Sequence, residues 1–85
     1  MIETPVIVGH EDGIEGRPIA LLVQEASQYA SRIYIQMGDK QINAKSIMAV
    51  MSLGVKQGNE VIITADGADE EEAIAEIQKV LEENL

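Results

Sequence analysis

The sequence predicts an α+β fold, an open-faced two-layer β-sandwich in which three helices cover four antiparallel strands. Segments with strand and helix periodicity alternate along the chain in the order β-α-β-β-α-β-α. A glycine turn joins the second and third strands as a hairpin. The length of 85 residues suits one small hydrophobic core and is too short for two. We therefore expect a single domain over residues 1–85.

The first predicted strand and helix lie in the first third of the chain. Residues 5–8 are short and β-branched, which favours a strand, and Pro5 should lie at its start or on a sheet edge because proline cannot donate to a ladder. A helix is expected from Pro18, whose fixed φ suits the first helical turn. Its apolar residues recur at helical spacing: Ile19, Leu22, Val23, Ala26 and Ala30.

A hairpin and a short helix are expected next. Apolar and polar residues alternate over residues 32–37, the period of a half-buried strand. A glycine-aspartate pair then turns the chain into a short second arm at residues 40–43. The following segment predicts a helix over residues 46–53 that Gly54 closes.

The last strand and helix carry the clearest patterns. Residues 60–66 are almost continuously apolar, which indicates a central strand. Asp69 and Glu72 have capping-box spacing and predict a helix start, where acidic residues complement the positive end of the dipole. The apolar stripe of this helix runs towards the chain end: Ala73, Ile74, Ile77, Val80 and Leu81.

Composition excludes several classes of function. The net charge of -9 repels nucleic-acid phosphates and anionic lipid, so no direct nucleic-acid binding is expected. No apolar run approaches the ~20 residues that span a bilayer, and the first residues do not resemble an export signal, so we expect a cytoplasmic protein. Without cysteine and with one histidine, the sequence offers no thiolate metal site and no catalytic triad. We expect no metal, no cofactor and no free-standing catalysis.

Two separated motifs carry a resemblance to a known family. The first is Gly-Ile-x-x-Arg-Pro at residues 13–18, with Leu-Leu-Val-Gln at residues 21–24, and the second is Lys-Ser-Ile-Met-x-x-Met-Ser-Leu-Gly at residues 45–54. Together they resemble HPr, the histidine-containing phosphocarrier of the bacterial sugar phosphotransferase system. The resemblance extends from about Val6 to the chain end, and the family's fold of four antiparallel strands under three helices agrees with the pattern.

The position of the family's reactive residue differs. In HPr a histidine before the residue that precedes Arg-Pro accepts a phosphoryl group from phosphoenolpyruvate through another protein, and here Glu15 stands at that position. An absent histidine with an intact serine motif resembles the catabolite-repression HPr-like branch of the family, known as Crh. Gly16 replaces the alanine that is usual in the family, and Ile19 replaces another small residue. Whether partners that recognise this loop accept the larger Ile19 stays open.

Several roles stay open for Glu15 and for the single histidine. Glu15 could complement the helix dipole, imitate phosphohistidine as a fixed charge facing Arg17 in a constitutive scaffold, or accept a phosphoryl group itself. His10 could be a displaced carrier, but two carboxylates follow it and no helix start does, so we favour an exposed loop histidine. A phosphoryl carrier that uses His10 or Glu15 is therefore the alternative to a regulatory role.

Ser46 is the principal candidate for function. At the N-cap of the second helix its hydroxyl can accept from a backbone N–H, which alone is a structural reason for serine. The resemblance implies that Ser46 is the regulatory phosphorylation site modified by the bifunctional HPr kinase/phosphorylase. A phosphate there would be stabilised by the helix dipole and by the neighbouring Lys45.

Apolar residues on the same short helix outnumber those that one face can bury: Ile47, Met48, Val50, Met51 and Leu53. The surplus should be exposed, and a methionine-rich exposed patch suits docking because methionine adapts to a partner's shape. The resemblance implies a corepressor whose phosphorylated form binds the catabolite control protein, a LacI-type transcription regulator. Its implied contact residues are Arg17, Ile47, Met48 and Met51. A first strand between Pro5 and Gly9 could also exchange between two copies, which leaves a homodimer open.

Overall fold

The computed structural model describes residues 1–9 and 17–82, and its elements follow the predicted order. The strands are Ile2–Ile7 (β1), Arg32–Met37 (β2), Lys40–Asn43 (β3) and Glu60–Asp66 (β4). The helices are Arg17–Ala26 (α1), Ile47–Leu53 (α2) and Glu70–Glu82 (α3). The predicted α+β fold of four antiparallel strands and three helices is confirmed.

The four strands form one antiparallel sheet in the order β1-β4-β2-β3. β4 lies inside the sheet, as its almost continuous apolar run predicted, because both of its neighbours cover its backbone. β1 is an edge strand and tolerates Pro5 within it. It begins at Ile2, three residues before the predicted start, because its first residues pair with the far end of β4, from Ile2 opposite Ala65 to Val6 opposite Val61.

One face of the sheet packs against the helices, and the other is open. On β2, Ile33 and Ile35 are buried, while Tyr34 and Gln36, which alternate with them, are half-buried on the opposite face. The largest fully buried side chains come from strands, helices and the segments joining them, and belong to one cluster: Leu22, Ile33, Ile35, Ile63, Ile77, Leu81, Val6, Val8, Val50, Val55 and Val61.

Helix α1 is shorter than predicted, since it ends at Ala26. Ala30, which the sequence placed in its apolar stripe, lies outside the helix and is exposed. The backbone N–H of Ala30 donates to Asp69 Oδ2 at 2.8 Å rather than to a helical carbonyl. A side chain 39 positions away thus accepts from the N–H that a longer helix would have bonded internally, which local spacing could not show.

The start of α3 also differs from the predicted capping box between Asp69 and Glu72. The carboxylate of Asp69 accepts from the backbone N–H of Ser31 at 2.9 Å and from the hydroxyl of Ser31, in addition to Ala30. Glu70 supplies the reach-back instead, since its Oε1 accepts from Gly67 N at 3.3 Å. The carboxylate of Asp69, which sequence spacing assigned to the helix cap, therefore bonds the α1–β2 turn instead.

Candidate functional site at helix α2

The chain enters α2 through a turn that Asn43 organises. Asn43 Oδ1 accepts from Lys45 N at 2.9 Å, and the Asn43 carbonyl accepts from Ser46 N at 3.1 Å. Asparagine favours such turns because its side chain can bond the backbone two residues on. The sequence prediction missed Asn43, although its position two residues before Lys45 is the pattern of this turn.

Ser46 is the N-cap of α2, as predicted. Its backbone is extended, with φ -109° and ψ 115°, while its carbonyl already accepts from Val50 N at 3.0 Å. The Ser46 hydroxyl oxygen accepts from Ala49 N at 3.3 Å, long for a hydrogen bond. Because Ser46 is also partly exposed, its hydroxyl is held in place and remains reachable from solvent.

The two faces of α2 separate its apolar residues. Val50 and Leu53 are buried against the core. Ile47, Met48 and Met51 are exposed at 51%, 79% and 58%, which confirms that the surplus cannot be buried. We call these three side chains the α2 patch. Exposed side chains of this size beside a reachable hydroxyl form a surface suited to docking.

Two lysines bond backbone carbonyls near opposite ends of α2. Lys45 Nζ donates to the Tyr29 carbonyl at 2.7 Å in a partly buried bond, and Lys40 Nζ donates to the Ser52 carbonyl at 2.7 Å. The sequence placed Lys45 beside an added phosphate. In the unmodified protein its ammonium lies on the turn that follows α1, a contact that no local pattern indicated.

Charge is distributed unevenly along the chain. Residues 40–59 contain three lysines and no acidic residue, whereas residues 60–82 contain eight acidic residues and one lysine. The first turn of α2 has no acidic side chain, in contrast to the first turn of α3. A negatively charged group added at Ser46 therefore has no acidic residue beside it along the chain from residue 40 to residue 59.

The loop that completes the family motif lies outside the described residues. Glu15, Gly16 and His10 fall there, and α1 begins at Arg17, whose side chain also lies outside the described part. Their roles stay predictions. Ile19 is described and only 6% exposed, so its bulk packs into the core.

The pKa shifts of Tyr29 and Asp69 have structural causes. Burial, with the nearby carboxylate of Glu25, raises the pKa of Tyr29 to about 12, so this side chain stays neutral. The hydroxyl of Ser31 and the backbone N–H of Ala30 lower the pKa of Asp69.

Within residues 1–9 and 17–82, no group of three histidine or carboxylate side chains is arranged to hold a metal ion. None of the described helices is long and apolar enough to cross a membrane.

Comparison with known proteins gives consistent matches over nearly the whole chain. The profile of a family described as "PTS HPr component phosphorylation site" matches residues 2–83. The chain is 40% identical to the HPr-like protein Crh of Bacillus subtilis (strain 168) over 85 residues, all of both chains.

Solved structures agree with these matches. The chain is similar to HPr-C-His from Thermoanaerobacter tengcongensis, with a TM-score of 0.93 and 46% identity over 96% of this chain and 92% of that one. It is also similar to selenomethionyl Crh from Bacillus subtilis, with a TM-score of 0.77 and 41% identity over 95% and 93% of the two chains. That Crh crystal structure is described as a dimer with a swapped domain.

Proposed function

The chain belongs to the HPr family, and we propose that it is a regulatory member, phosphorylated on Ser46, that does not act as a histidine phosphocarrier. The observation that carries the proposal is the reachable hydroxyl of Ser46 beside the exposed α2 patch. Glu15 at the position of the family's reactive histidine supports the loss of the carrier step. Similarity to Crh supports the same branch.

The proposed modification, catalysed by HPr kinase/phosphorylase, transfers the γ-phosphoryl group of ATP to the Ser46 oxygen and releases ADP and the hydroxyl proton. The product carries a charge of about -1.5 to -2 at a helix start, where the dipole favours anions. The first turn of α2 has no acidic residue to oppose it. Because Ser46 is partly exposed, phosphorylation should leave the core intact.

The proposed consequence is binding to a LacI-type catabolite control regulator, for which the modified protein serves as corepressor. The phosphate would accept charge-assisted hydrogen bonds from basic side chains of the regulator. Ile47, Met48 and Met51 would supply apolar contact, and Arg17 a further polar contact. The regulator's DNA affinity changes if the complex favours one of its conformations.

Other features of the proposal follow from the family and the core. We place the protein in the cytoplasm, without a cofactor and without catalysis of its own, as one HPr-like domain over residues 1–85. Strands and helices share one buried cluster, which supports a single domain. A homodimer that exchanges β1 is consistent with the edge position of this strand and with the swapped dimer described for Crh.

Intact mass after treatment with HPr kinase/phosphorylase and ATP tests the switch residue. We expect one added phosphate on the native chain and none on Ser46→Ala. Ser52→Ala is a matched control, because Ser52 is an exposed serine on the same helix, and it should gain the phosphate normally. A native chain without mass gain, or a gain that survives in Ser46→Ala, would exclude the proposal.

The readout is tested by binding of the regulator to phosphorylated and unmodified protein. We expect tight binding only of the phosphorylated native chain. If Ser46→Ala bound as well as the phosphorylated chain, the protein would be a constitutive scaffold, with the charge of Glu15 as a candidate cause.

The alternative is a phosphoryl carrier that uses Glu15 or His10. The match to a profile described as a phosphorylation site favours keeping this candidate. Incubation with phosphoenolpyruvate and the upstream transferase decides it, since an acid-labile phosphoryl group on this chain would establish transfer. We expect no such group.

A further inference from the structure

The turn after α1 is held from two sides. On one side, the ammonium of Lys45 donates to the Tyr29 carbonyl at 2.7 Å. On the other, the carboxylate of Asp69 accepts from Ala30 N and Ser31 N at 2.8 and 2.9 Å. The bonds of Lys45 and Asp69 connect the turn to the entry of α2 and to the start of α3.

The two contacts differ in their chemical strength. Asp69 brings an anion to backbone donors and a hydroxyl, and most of its acceptor capacity is used. Lys45 brings a cation to a neutral carbonyl, and among the described residues no carboxylate pairs with it. The bond of Lys45 to a carbonyl has one charged partner, whereas a bond to an anion would have two and would add Coulomb attraction between opposite charges. An anion within reach of Lys45 would therefore compete with the Tyr29 carbonyl.

Lys45 directly precedes the residue at which such an anion would be added. Its backbone N–H is fixed by Asn43, and the next residue along the chain is Ser46. The lysine side chain is a flexible stem with a compact charge, so the ammonium can turn about a fixed backbone. In the proposed function, Ser46 acquires a charge of about -1.5 to -2.

We propose that Lys45 is a latch: it bonds the Tyr29 carbonyl while Ser46 is unmodified and moves to the phosphate when Ser46 is phosphorylated. The inference rests on the proposed phosphorylation of Ser46. The turn over residues 27–31 then keeps its bonds to Asp69 but loses its tie to α2. Phosphorylation consequently changes hydrogen bonding at the end of α1 as well as the charge at the docking surface.

Lys45 would also be a positioning residue for the phosphate. Its ammonium would fix one side of the group and favour the doubly charged form, the form that basic side chains of a regulator bind most strongly.

The test uses protein in which phosphoserine is installed at position 46 by synthesis, so that no kinase is needed. The carbonyl carbon of Tyr29 is observed by NMR, with and without the phosphate, in the native chain and in Lys45→Gln. In the native chain, phosphorylation should shift the Tyr29 signal to the value that Lys45→Gln shows unmodified. In Lys45→Gln, phosphorylation should leave this signal where it is.

Phosphorus NMR gives a second readout, the last pKa of the phosphate. Loss of the nearby cation in Lys45→Gln should raise this pKa by about half a unit or more relative to the native chain. Lys40→Gln is the matched control, because Lys40 also bonds a backbone carbonyl at 2.7 Å but near the other end of α2. It should leave both the Tyr29 signal and the phosphate pKa close to their native values.

Failure of the latch is distinguishable from failure of the proposed function. A Tyr29 carbonyl signal that does not move when phosphate is installed in the native chain overturns the latch, even if the kinase modifies Ser46 and the regulator binds. This comparison needs no substitution, so it stands even if Lys45→Gln folds poorly. A kinase that ignores Ser46 overturns the proposed function but leaves the result on synthetic phosphoserine intact.

Discussion

The N-termini of α2 and α3 present the same backbone donors and partial positive charge but are complemented in opposite ways. The first turn of α3 contains Glu70, Glu71 and Glu72, whereas the first turn of α2 contains no acidic residue and is capped by the hydroxyl of Ser46. One helix start therefore carries its own anions. The other carries a neutral hydroxyl, which the proposed phosphorylation would convert to an anion.

Two carboxylates at the start of α3 are already engaged in holding the fold together. Asp69 bonds the α1–β2 turn, and Glu70 accepts from the amino terminus of Met1 at 3.2 Å and from Gly67 N at 3.3 Å. The bonds from the amino terminus and from Gly67 lower the pKa of Glu70. The comparison teaches that the carboxylates at the start of α3 join segments of the fold, whereas the hydroxyl at the start of α2 bonds the backbone of its own helix.

Asp69→Asn should have the largest effect on stability. It keeps the shape of the side chain but replaces an acceptor oxygen with an NH₂ that faces backbone donors at the turn. We expect a clear loss of unfolding free energy at pH 7, measured by urea denaturation. Glu71→Gln, at an exposed position on the same helical turn, is the control and should unfold close to the native chain.

The same variant tests the pH dependence of the joint. Hydrogen bonds from the Ser31 hydroxyl and the Ala30 N–H lower the pKa of Asp69, so its contribution is complete above the unfolded pKa of about 3.9 and is lost as pH falls through the lower folded value. The native chain should lose more stability than Asp69→Asn over that acid range. Parallel losses in the two proteins would contradict a structural role for the charge.

Gly67→Ala should be the next most disruptive change. A Cβ at Gly67 would lie 2.7 Å from Ser31 Cα and 2.6 Å from Ser31 Oγ, so backbone must move. Overpacking of this kind costs about 1 to 3 kcal/mol of unfolding free energy. At Gly54, the C-cap of α2, an added Cβ meets open space and only the positive φ of 66° opposes it. NMR should show larger chemical-shift changes around Ser31 in Gly67→Ala than in Gly54→Ala. Equal changes in the two variants would disprove the close-approach explanation.

Substitutions at Ser46 sharpen the comparison directly. Ser46→Ala removes the bond to Ala49 N and should lower the unfolding free energy by about 1 kcal/mol. Ser46→Asp keeps an acceptor and adds charge at the helix start, which should recover about 0.3 to 1 kcal/mol at low salt. Urea denaturation of both variants measures the difference. If Ser46→Asp were as unstable as Ser46→Ala, the end of α2 would not favour an added anion.

Met48→Ser should change stability least. Met48 is 79% exposed, so the unfolding free energy should stay within about 0.5 kcal/mol of the native value. Binding of the phosphorylated protein to the regulator should nevertheless weaken, because an apolar contact is removed. Gln41→Ser, an exposed change outside α2, is the binding control. Unchanged regulator binding by Met48→Ser would remove Met48 from the proposed docking surface.

Local patterns predicted most of the fold because they depend on nearby residues. The alternation in β2, the continuous apolar run of β4 and the serine-to-glycine limits of α2 all required only neighbours along the chain. The same patterns failed at Ala30 and at the start of α3. Both errors involve the carboxylate of Asp69, whose partners lie 38 and 39 positions away.

The candidate site, too, has features that local sequence predicted and features that packing decided. Sequence alone identified Ser46 as a helix cap and showed that five apolar residues could not share one buried face of α2. Which of them are buried, Val50 and Leu53, was decided by the orientation of α2 against the core. The bond from Lys45 to Tyr29 was likewise decided by packing, because its partners are 16 positions apart.

The sequence by itself determined the order of the elements, the family resemblance and the absence of the reactive histidine, since each depends on residue identity and short spacing. Tertiary structure alone decided that the acidic end of α3 is bound to the α1–β2 turn and that the end of α2 remains accessible. Hydrogen bonds between distant segments form only where packing brings their donors and acceptors within about 3 Å, and local spacing does not encode that approach.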